Sequence, residues 1–323
     1  GVPQRSIRGP LLFLLYINDI VMSSDVFKFI LFADDTSLFY SHKNKHEAAV
    51  ILNSELSNIS QWLAANKLSL NVGKSKLLIF TNQKSKKTGG SKVKNKSGEA
   101  STINGCNTDV DDDSEGIELF INGERLKEVD FAKYLGVLID NKLKWTNHID
   151  AINLKLSKGN GLLAKIRHYV PNSVLRSLFF SFINPHTDYN LLNWSMAPTT
   201  KLDTIAKKIK KAVRIISFED SDSHSIPLFK KQNILPLAYS IKTKHAKFMW
   251  QLYNDFLPIS LSENFYTNSR TQYSTSESRL ASLDKFVLFA GPKVWNDIPT
   301  NIKKKSSLNS FSKNLSKHYI QNL

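Results

Sequence analysis

Cysteine is almost absent from this chain of 323 residues, in which Cys106 stands alone. A single thiol excludes a disulfide framework and a cysteine-rich zinc site, and it indicates a reducing compartment. No apolar run approaches the ~20 residues that cross a bilayer, and no charged segment of a signal peptide precedes Leu11–Ile17. We therefore expect an intracellular protein of the nucleus or cytoplasm that is not secreted and has no membrane partner.

Acidic residues are scarce in the second half of the chain. Residues 142–323 hold 27 Lys and Arg against 11 Asp and Glu, whereas residues 1–141 hold 17 of each. The whole net charge of +16 therefore lies in the second half. Such a charge indicates a polyanionic partner, most simply nucleic acid. A solvated basic surface and a phospholipid surface are the alternatives.

Two adjacent carboxylates, Asp34 and Asp35, stand between two short apolar runs at residues 28–31 and 37–40. The runs predict two strands, and residues 33–36 suit the tight turn between them. Such a hairpin places both carboxylates at its tip. Adjacent negative charges repel unless a cation lies beside them, and Mg²⁺ prefers oxygen ligands of this type. A solvated, chemically idle turn is the alternative.

Apolar periodicity and turn signals predict most of the remaining elements. We expect helices over residues 11–22, 46–66, 147–169, 172–184, 201–217 and 237–256, and strands over 68–71, 76–81, 119–121 and 129–139. The first helix should be mostly buried, and Gly159-Asn160-Gly161 should loosen the third. Asn122-Gly123 predicts a hairpin turn, and Lys303-Lys304-Lys305 should be exposed.

One predicted helix is both amphipathic and basic. Between residues 201 and 217 an apolar stripe contains Leu202, Ile205, Ile209, Val213 and Ile216, and the other faces carry Lys207, Lys208, Lys210, Lys211 and Arg214. Such a helix packs on protein with one side and binds phosphates with the other.

Residues 83–116 interrupt these patterns. Six lysines lie between Lys84 and Lys96, five acids between Asp109 and Glu115, and glycine and serine occur throughout. Low hydrophobicity and opposite charge blocks predict a flexible insertion. A solvated acidic run is preferred to a metal site at Asp111-Asp112-Asp113.

Six short motifs follow one another along the chain. They are Gly1-Val2-Pro3-Gln4 with Gly9-Pro10-Leu11-Leu12-Phe13, Phe32-Ala33-Asp34-Asp35, Leu70-Asn71 with Lys74-Ser75-Lys76, Tyr134-Leu135-Gly136, Trp145-Thr146-Asn147-His148-Ile149 and Gly291-Pro292-Lys293-Val294-Trp295-Asn296. Together they resemble the reverse transcriptase of non-LTR, LINE-type and jockey-like retrotransposons. The first four match motifs B, C, D and E of that family, and the fifth resembles the start of the thumb.

The resemblance implies an α+β fold, with a partial right-hand polymerase palm of antiparallel strands and packed helices. A mainly α-helical thumb and C-terminal region would follow. The palm would cover residues 1–82 and 117–141, on either side of the insertion at 83–116. The thumb would cover residues 142–185, and a basic, mainly helical region would cover 186–323.

The resemblance also implies RNA-directed DNA polymerase activity on an RNA template, a DNA primer and deoxynucleotides. Two Mg²⁺ ions would activate the primer 3′-hydroxyl and stabilise the leaving pyrophosphate. Asp34 and Asp35 would be catalytic metal ligands, with Asp34 the firmer of the two. Lys74, or else Lys76, would donate a proton to pyrophosphate, although an ordinary surface lysine is the alternative.

Further roles follow from the same motifs. The resemblance implies that five residues contact the nucleotide and the template: Pro3, Gln4, Ser6, Phe32 and Ala33. The primer grip would be Tyr134, Leu135 and Gly136, where glycine allows close backbone approach, although an ordinary strand glycine is the alternative. The basic side chains of residues 207–214 would contact the nucleic-acid backbone.

Three departures from the family pattern bear on activity. The chain begins at motif B, so the fingers and the metal-binding Asp of motif A are not among its residues. Arg5 stands where the family has glycine, and Arg8 stands at a usually apolar position. We therefore expect a C-terminal fragment that is inactive alone, unless the upstream part of a parent polyprotein supplies the rest. A non-catalytic nucleic-acid-binding remnant and a relic without a selected role are the alternatives.

Overall fold

A computed structural model describes residues 6–81, 117–269, 272–275, 277 and 283–323. The chain divides into two compact units, Gly1–Asp130 and Phe131–Leu323. Apolar clusters of buried side chains lie within each unit. The insertion predicted at residues 83–116 lies outside the described residues.

The first unit combines two α-helices with short strands. Its elements are α1 (Gly9–Ile17), a 3₁₀ helix (Asn18–Ser23), β1 (Lys28–Phe32), β2 (Asp35–Phe39), α2 (Lys45–Ala65), a second 3₁₀ helix (Val72–Lys74), β3 (Lys76–Leu77), β4 (Phe120–Ile121), β5 (Glu124–Arg125) and β6 (Lys127–Glu128). Strands β1 and β2 form one antiparallel hairpin, and β4 and β5 form another. Strand β3 pairs with β6 in parallel.

Helix α2 is the main support of this unit. The Asn44 side chain caps it by accepting hydrogen bonds from the backbone N–H groups of His46 and Glu47. One face buries Ala48, Leu52, Leu56, Ile59 and Leu63. The helix predicted over residues 46–66 is therefore present, with its buried stripe beginning at Ala48.

The prediction that α1 is mostly buried is wrong. Within α1 only Ile17 is buried, whereas Leu11 and Leu15 are 60% and 68% exposed. The helix is apolar on all sides, so its sequence shows no preferred face. Of α1 and the following 3₁₀ helix, only Ile17 and Ile20 belong to the buried core of the first unit. Phe13 packs against that core.

Two strand predictions in this unit also need correction. Residues 68–71 form no strand, and only Lys76–Leu77 of the predicted 76–81 strand pairs with another strand. Leu68 and Leu70 nevertheless pack against the core. Their alternation reflects contact with that core and not a strand ladder. The hairpin turn at Asn122-Gly123 is confirmed, with both residues at positive φ.

The second unit is mainly helical. Its elements are β7 (Phe131–Tyr134), β8 (Val137–Asp140), α3 (Thr146–Ile166), α4 (Asn172–Phe182), α5 (Asn184–Asp188), α6 (Leu191–Trp194), α7 (Thr199–Ser217), α8 (Ser225–Gln232), α9 (Leu237–Tyr253), α10 (Ile259–Ser262), β9 (Thr267–Ser269), β10 (Gln272–Tyr273), α11 (Val287–Asn296), α12 (Thr300–Lys303) and α13 (Leu308–Gln321). The four long helices predicted in this unit are confirmed to within a few residues at each end. In the part of the chain described, every helix is too short or too polar to cross a membrane.

Helices α3 and α7 pack side by side and run in the same direction. Three polar contacts join residues that are 51 apart in sequence: Asp150–Lys201 at 3.3 Å, Asn153–Thr204 at 2.6 Å and Ser157–Lys208 at 2.5 Å. A constant offset of this kind requires parallel axes. The C-terminal ends of the two helices therefore lie at the same end of the pair.

The prediction that Gly159-Asn160-Gly161 loosens α3 is wrong, because the helix continues through all three residues. A Cβ atom on Gly159 would lie 2.6 Å from Cδ1 of Ile183, which follows α4 and is fully buried. Gly159 therefore permits close packing. A Cβ atom on Gly161 would meet nothing within 4 Å.

The exposure predicted for Lys303-Lys304-Lys305 is wrong for its first residue. Lys303 is only 5% exposed, and its Nζ lies 5.4 Å from the centre of the Trp295 ring. Burial lowers the pKa of Lys303, and Asp297 opposes that shift. The side chain stem packs on the aromatic ring, so three consecutive lysines do not share one environment.

Candidate active site and nucleic-acid-binding helix

The β1–β2 hairpin presents the two predicted metal ligands. The strands pair Phe32 with Asp35, so that Ala33 and Asp34 are the two turn residues. Ala33 has φ of 52°, the left-handed conformation typical of such short turns. Asp34 and Asp35 are both exposed. The hairpin therefore forms as the sequence predicts, with Asp35 as the first residue of β2 and not part of the turn.

The hairpin is anchored from one face. Phe29, Leu31, Leu38 and Tyr40 pack against the core of the first unit. Phe32, which precedes the turn, is 60% exposed. An anchored hairpin with an exposed tip holds its carboxylates open to solvent.

By themselves the two carboxylates do not make up a metal site. Among the described residues, no three His, Cys, Asp or Glu side chains come together to hold a metal ion. Carboxylate oxygens fit a hard divalent cation, but that cation takes about six oxygen ligands. Substrate phosphates or another protein segment would have to supply the remaining ligands.

The other predicted residues of the first unit have different surroundings. Ser6 is half-buried, and its Oγ accepts a hydrogen bond of 3.0 Å from Gly9 N–H at the start of α1. Lys74 ends a 3₁₀ helix with its side chain exposed and its N–H bonded to Oδ1 of Asn71. Pro3 and Gln4 lie outside the described residues.

The predicted primer grip forms the tip of the β7–β8 hairpin in the second unit. Leu135 and Gly136 both have positive φ, at 43° and 83°. The Tyr189 hydroxyl donates a 2.5 Å hydrogen bond to the Leu135 carbonyl, and a Cβ atom on Gly136 would lie 3.4 Å from the Tyr189 ring. The backbone at Gly136 therefore lies close to the Tyr189 ring, and its contact with a primer stays a prediction.

Sequence reasoning missed Tyr189, because the residue lies more than 50 positions from the hairpin tip. The Trp194 indole N–H donates a 2.9 Å hydrogen bond to the Tyr189 carbonyl, and Trp194 itself is fully buried. A tyrosine five residues before a buried tryptophan is the only local signal. It does not indicate a hairpin as the partner.

The entry to α3 depends on one carboxylate. Asp140 accepts hydrogen bonds from three backbone N–H groups, those of Lys142 at 3.2 Å, Lys144 at 2.9 Å and Trp145 at 2.6 Å. Trp145 has φ of 60° and immediately precedes the helix. Asp140 thus fixes the turn from β8 into α3.

His148, from the motif resembling the start of the thumb, is a packing residue. Its ring lies 6.4 Å from the Trp145 ring and 6.3 Å from the Trp194 ring. Its Nδ1 accepts a 3.4 Å hydrogen bond from Leu138 N–H. Burial, and secondarily the charge of Lys155, lower the pKa of His148.

The five basic residues predicted to contact nucleic acid are placed differently along α7. Lys207, Lys210 and Lys211 are exposed. Lys208 Nζ donates to Ser157 Oγ on α3, and Arg214 Nε donates a 2.9 Å hydrogen bond to the Ser223 carbonyl. The exposed part of the predicted basic face is therefore three lysines.

A groove between α3 and α7 was not apparent from either helix alone. It has a volume of about 180 Å³ and is lined by Ser157, Asn160, Gly161, Ala164, Lys208 and Lys211. The Asn160 side chain holds it in shape by donating a 3.0 Å hydrogen bond to the Lys208 carbonyl. The groove places small residues of α3 opposite cationic residues of α7.

Residues 1–139 match the family model described as reverse transcriptase, an RNA-dependent DNA polymerase. The similarity to the reverse transcriptase family lies in these residues. The matched range includes the Asp34–Asp35 hairpin and ends within β8, so it also includes the hairpin of the predicted primer grip. The family implies a polymerase palm, and the short strands and packed helices of this chain are compatible with the expected α+β class.

Curated relatives confirm the resemblance to a jockey-like reverse transcriptase. The probable RNA-directed DNA polymerase from transposon X-element of Drosophila melanogaster is 24% identical over 226 residues. The RNA-directed DNA polymerases from mobile element jockey of Drosophila funebris and of D. melanogaster are each 25% identical, over 229 and 228 residues. Each alignment covers 67% of this chain and 22% of the relative, so the chain spans about a fifth of the relatives' length. No solved structure matches it significantly.

Proposed function

We propose that this chain is part of an RNA-directed DNA polymerase of a non-LTR retrotransposon, which extends a DNA primer along an RNA template. The observation that carries the proposal is the exposed Asp34–Asp35 pair at the tip of an anchored hairpin, within the range that matches the reverse transcriptase family. The partners are the template, the primer and deoxynucleotides, and the cofactor is Mg²⁺.

In the proposed reaction the primer 3′-oxygen forms a bond to the nucleotide α-phosphorus as the bond to pyrophosphate breaks. Asp34 and Asp35 would hold divalent cations, which supply activation of the hydroxyl and charge stabilisation when bound. Phe32 and Ala33, beside them on the hairpin, would contact the nucleotide together with Pro3, Gln4 and Ser6. Lys74 would give a proton to the leaving pyrophosphate.

The second unit would hold the nucleic acid. Tyr134, Leu135 and Gly136 would contact the primer strand, with Tyr189 fixing the hairpin tip from behind. Residues 142–185 would form the thumb. The exposed lysines of α7 would bind backbone phosphates.

Primer extension tests this proposal. A polypeptide of residues 1–323 should show no synthesis on an RNA template with Mg²⁺ and deoxynucleotides, because two carboxylates leave the charge of the transition state poorly compensated. Fusion to the upstream segment of a parent element that carries a further Asp should allow synthesis. In that fusion, Asp34→Asn should lower the rate by about 100-fold or more, as expected for loss of transition-state stabilisation.

The matched control is Asp19→Asn, which changes an exposed carboxylate of the same unit without altering the hairpin. Its rate should equal that of the unmodified fusion. Robust synthesis by residues 1–323 alone that depends on Asp34 would contradict the expected inactivity. Synthesis that survives Asp34→Asn in the fusion would contradict the metal-binding role.

A second candidate function is nucleic-acid binding without catalysis. The observation that favours it is charge, because residues 142–323 hold the entire excess of +16 and α7 exposes three lysines. On this hypothesis the carboxylates of the hairpin do not contribute to nucleic-acid binding.

Salt dependence tests the second candidate. The affinity of residues 1–323 for an RNA–DNA duplex should fall by about 40-fold between 50 and 200 mM salt if about three phosphates are neutralised. Fluorescence anisotropy measures it. If the chain retains binding alone, Asp34→Asn with Asp35→Asn should leave the affinity for the duplex unchanged, with or without Mg²⁺. On the enzyme hypothesis Mg²⁺ should raise this affinity in the unmodified chain, and the double variant should lose that increase. Binding that does not depend on salt, or no binding, would contradict phosphate contacts by α7 on both hypotheses.

A further inference from the structure

An exposed aromatic ring lies beyond the groove between α3 and α7, on the C-terminal side of its lining residues. Because the two helices are parallel, the segments that follow α3 and α7 meet at one end of the groove. Phe218, the first residue after α7, lies at that end and is 48% exposed. From Lys208 to Phe218 the helix rise is about 15 Å.

Cationic and aromatic side chains surround the Phe218 ring. Arg167 Cζ lies 5.8 Å from the ring centre, and the His168 ring lies edge-on at 6.1 Å. Arg167 Nε donates a 3.0 Å hydrogen bond to His168 Nε2, which links the two side chains. Tyr169, the next residue, is 85% exposed. Phe218, Arg167 and His168 together form a platform of aromatic rings and positive charge.

Packing in the apolar core does not account for phenylalanine at position 218. Its φ is 60°, and at the end of a helix this conformation favours glycine. A residue with a Cβ atom is strained there. Among the described residues, the apolar clusters do not include the Phe218 ring. The ring therefore adds nothing to the core that would offset its backbone conformation.

The distribution of charge favours a phosphate at the middle of α7 and an uncharged base at its C-terminal end. Lys208 and Lys211 lie beside the groove at the middle of α7 and can neutralise a phosphate. At the Phe218 end, the carbonyl ends of α3 and α7 carry partial negative charge, which disfavours phosphate and favours the cation of Arg167. A nucleotide chain would place a phosphate at the lysines and a base at the ring.

We propose that the α3–α7 groove binds single-stranded nucleic acid, with a phosphate at Lys208 and Lys211 and a base stacked on Phe218. The proposal rests on the proposed contact of α7 with nucleic acid and narrows its substrate to an unpaired strand. A base within a duplex has both faces covered by its neighbours, whereas an unpaired base can stack on an aromatic side chain.

Binding of labelled oligonucleotides to residues 1–323 tests the proposal by fluorescence anisotropy. The probes are a 12-nucleotide oligo-uridylate, a 12-nucleotide oligo-deoxythymidylate and a blunt RNA–DNA duplex. Phe218→Leu should weaken binding of the single strands by at least about fivefold, the lower end of the contribution of one stacked base. The duplex should change by less than about twofold. If Phe218→Leu weakens binding of only the oligo-uridylate or only the oligo-deoxythymidylate, the groove prefers RNA or DNA, respectively.

Two variants provide controls. Phe180→Leu makes the same change at a phenylalanine on α4 that is 38% exposed and lies 4.9 Å from Arg176, so it should leave all three affinities unchanged. Lys211→Gln should lower the salt slope for single strands by about one, whereas Lys304→Gln, at an exposed lysine outside the groove, should not.

Phe218→Gly separates folding from binding. Glycine suits the left-handed conformation, so the midpoint of thermal unfolding should be maintained or raised while single-strand affinity falls. Unchanged single-strand binding in both Phe218 variants, or equal loss for the duplex, would overturn the proposal. Duplex binding without single-strand binding by the unmodified chain would overturn it and leave the proposed duplex contact standing. No salt-sensitive binding to any probe would overturn both.

Discussion

The imidazole of His148 acts as a hydrogen-bond acceptor, because its Nδ1 faces the N–H of Leu138. Protonation would destroy this contact and place a charge between two indole rings, near Lys155. The neutral form is therefore the one that the fold stabilises, in agreement with the lowered pKa.

Stability should consequently fall at acidic pH. Below about pH 6.5 the unfolded chain binds a proton at position 148 that the folded chain does not, so the free energy of unfolding decreases by at most ~1.4 kcal/mol per pH unit for this group. The stability is fully present above that pH. His148→Gln should reduce the difference in stability between about pH 7.5 and 5.5, measured by urea unfolding at each pH.

The control for this change is His224→Gln, at an exposed histidine of the same unit. It should retain the pH dependence of the unmodified chain. His186 and His245 also have pKa values lowered by burial, so part of the dependence should remain in the His148 variant. A His148 variant with the full dependence of the parent would contradict the assignment.

Residue roles could be predicted from sequence where they are local. The Asp34–Asp35 pair was placed at a hairpin tip because the apolar runs that flank it adjoin it in sequence. Tyr189 and Gly159 could not be assigned, because their partners Leu135 and Ile183 lie 54 and 24 positions away. No pattern within a short window carries that information.

The two glycines of α3 allow the same substitution to be compared in two environments. Alanine favours a helix interior over glycine by about 0.5–1 kcal/mol. At Gly161 nothing opposes this gain. At Gly159 the added methyl group would overlap buried Ile183 and lie 3.3 Å from the Phe182 carbonyl oxygen, and such overpacking costs about 1–3 kcal/mol.

Gly161→Ala should therefore raise the free energy of unfolding by about 0.5–1 kcal/mol, and Gly159→Ala should lower it by about 1–2 kcal/mol. Urea unfolding monitored by tryptophan fluorescence measures both. Gly159→Ala with Ile183→Val, which removes the overlapping methyl group, should be more stable than the sum of the two single changes predicts. Effects of the same sign at both glycines would contradict the packing argument.

At the scale of elements, long amphipathic helices were predictable and short strands were not. The basic helix predicted over residues 201–217 agrees with α7 to within two residues, because its apolar stripe repeats over about four turns. The strands of two residues at β3 and β6 pair across distant parts of the sequence, so no local alternation defines them. For α1 the helix was predicted correctly and its burial was not. A uniformly apolar segment indicates burial but does not show which surface would cover it.

Charge and compactness divide the chain at the same place. Residues 1–130 hold 16 basic and 16 acidic side chains, whereas residues 131–323 hold 28 and 12. The neutral unit carries the carboxylate hairpin, and the basic unit carries the α3–α7 groove. The predicted primer-grip hairpin belongs to the basic unit, although the sequence suggested the palm. Its assignment to the palm stays a prediction.

The second unit should fold by itself, because its two apolar clusters contain only its own residues. A polypeptide of residues 131–323 should unfold in one cooperative transition with the midpoint of that unit in the longer chain. Four of the five tryptophans lie in this range, so Trp62→Phe in the longer chain gives the matching fluorescence signal. Gradual unfolding of the shorter polypeptide, without a cooperative transition, would contradict this expectation.

The offset of 51 residues between α3 and α7 also limits how the length of this region can vary in evolution. One residue inserted in α7 ahead of Lys208 would rotate the following side chains by about 100° and turn Lys208 away from Ser157. A residue inserted between the helices would change the offset and leave the groove intact. Insertions and deletions among related elements should therefore avoid residues 199–217, whatever the substitutions at single positions.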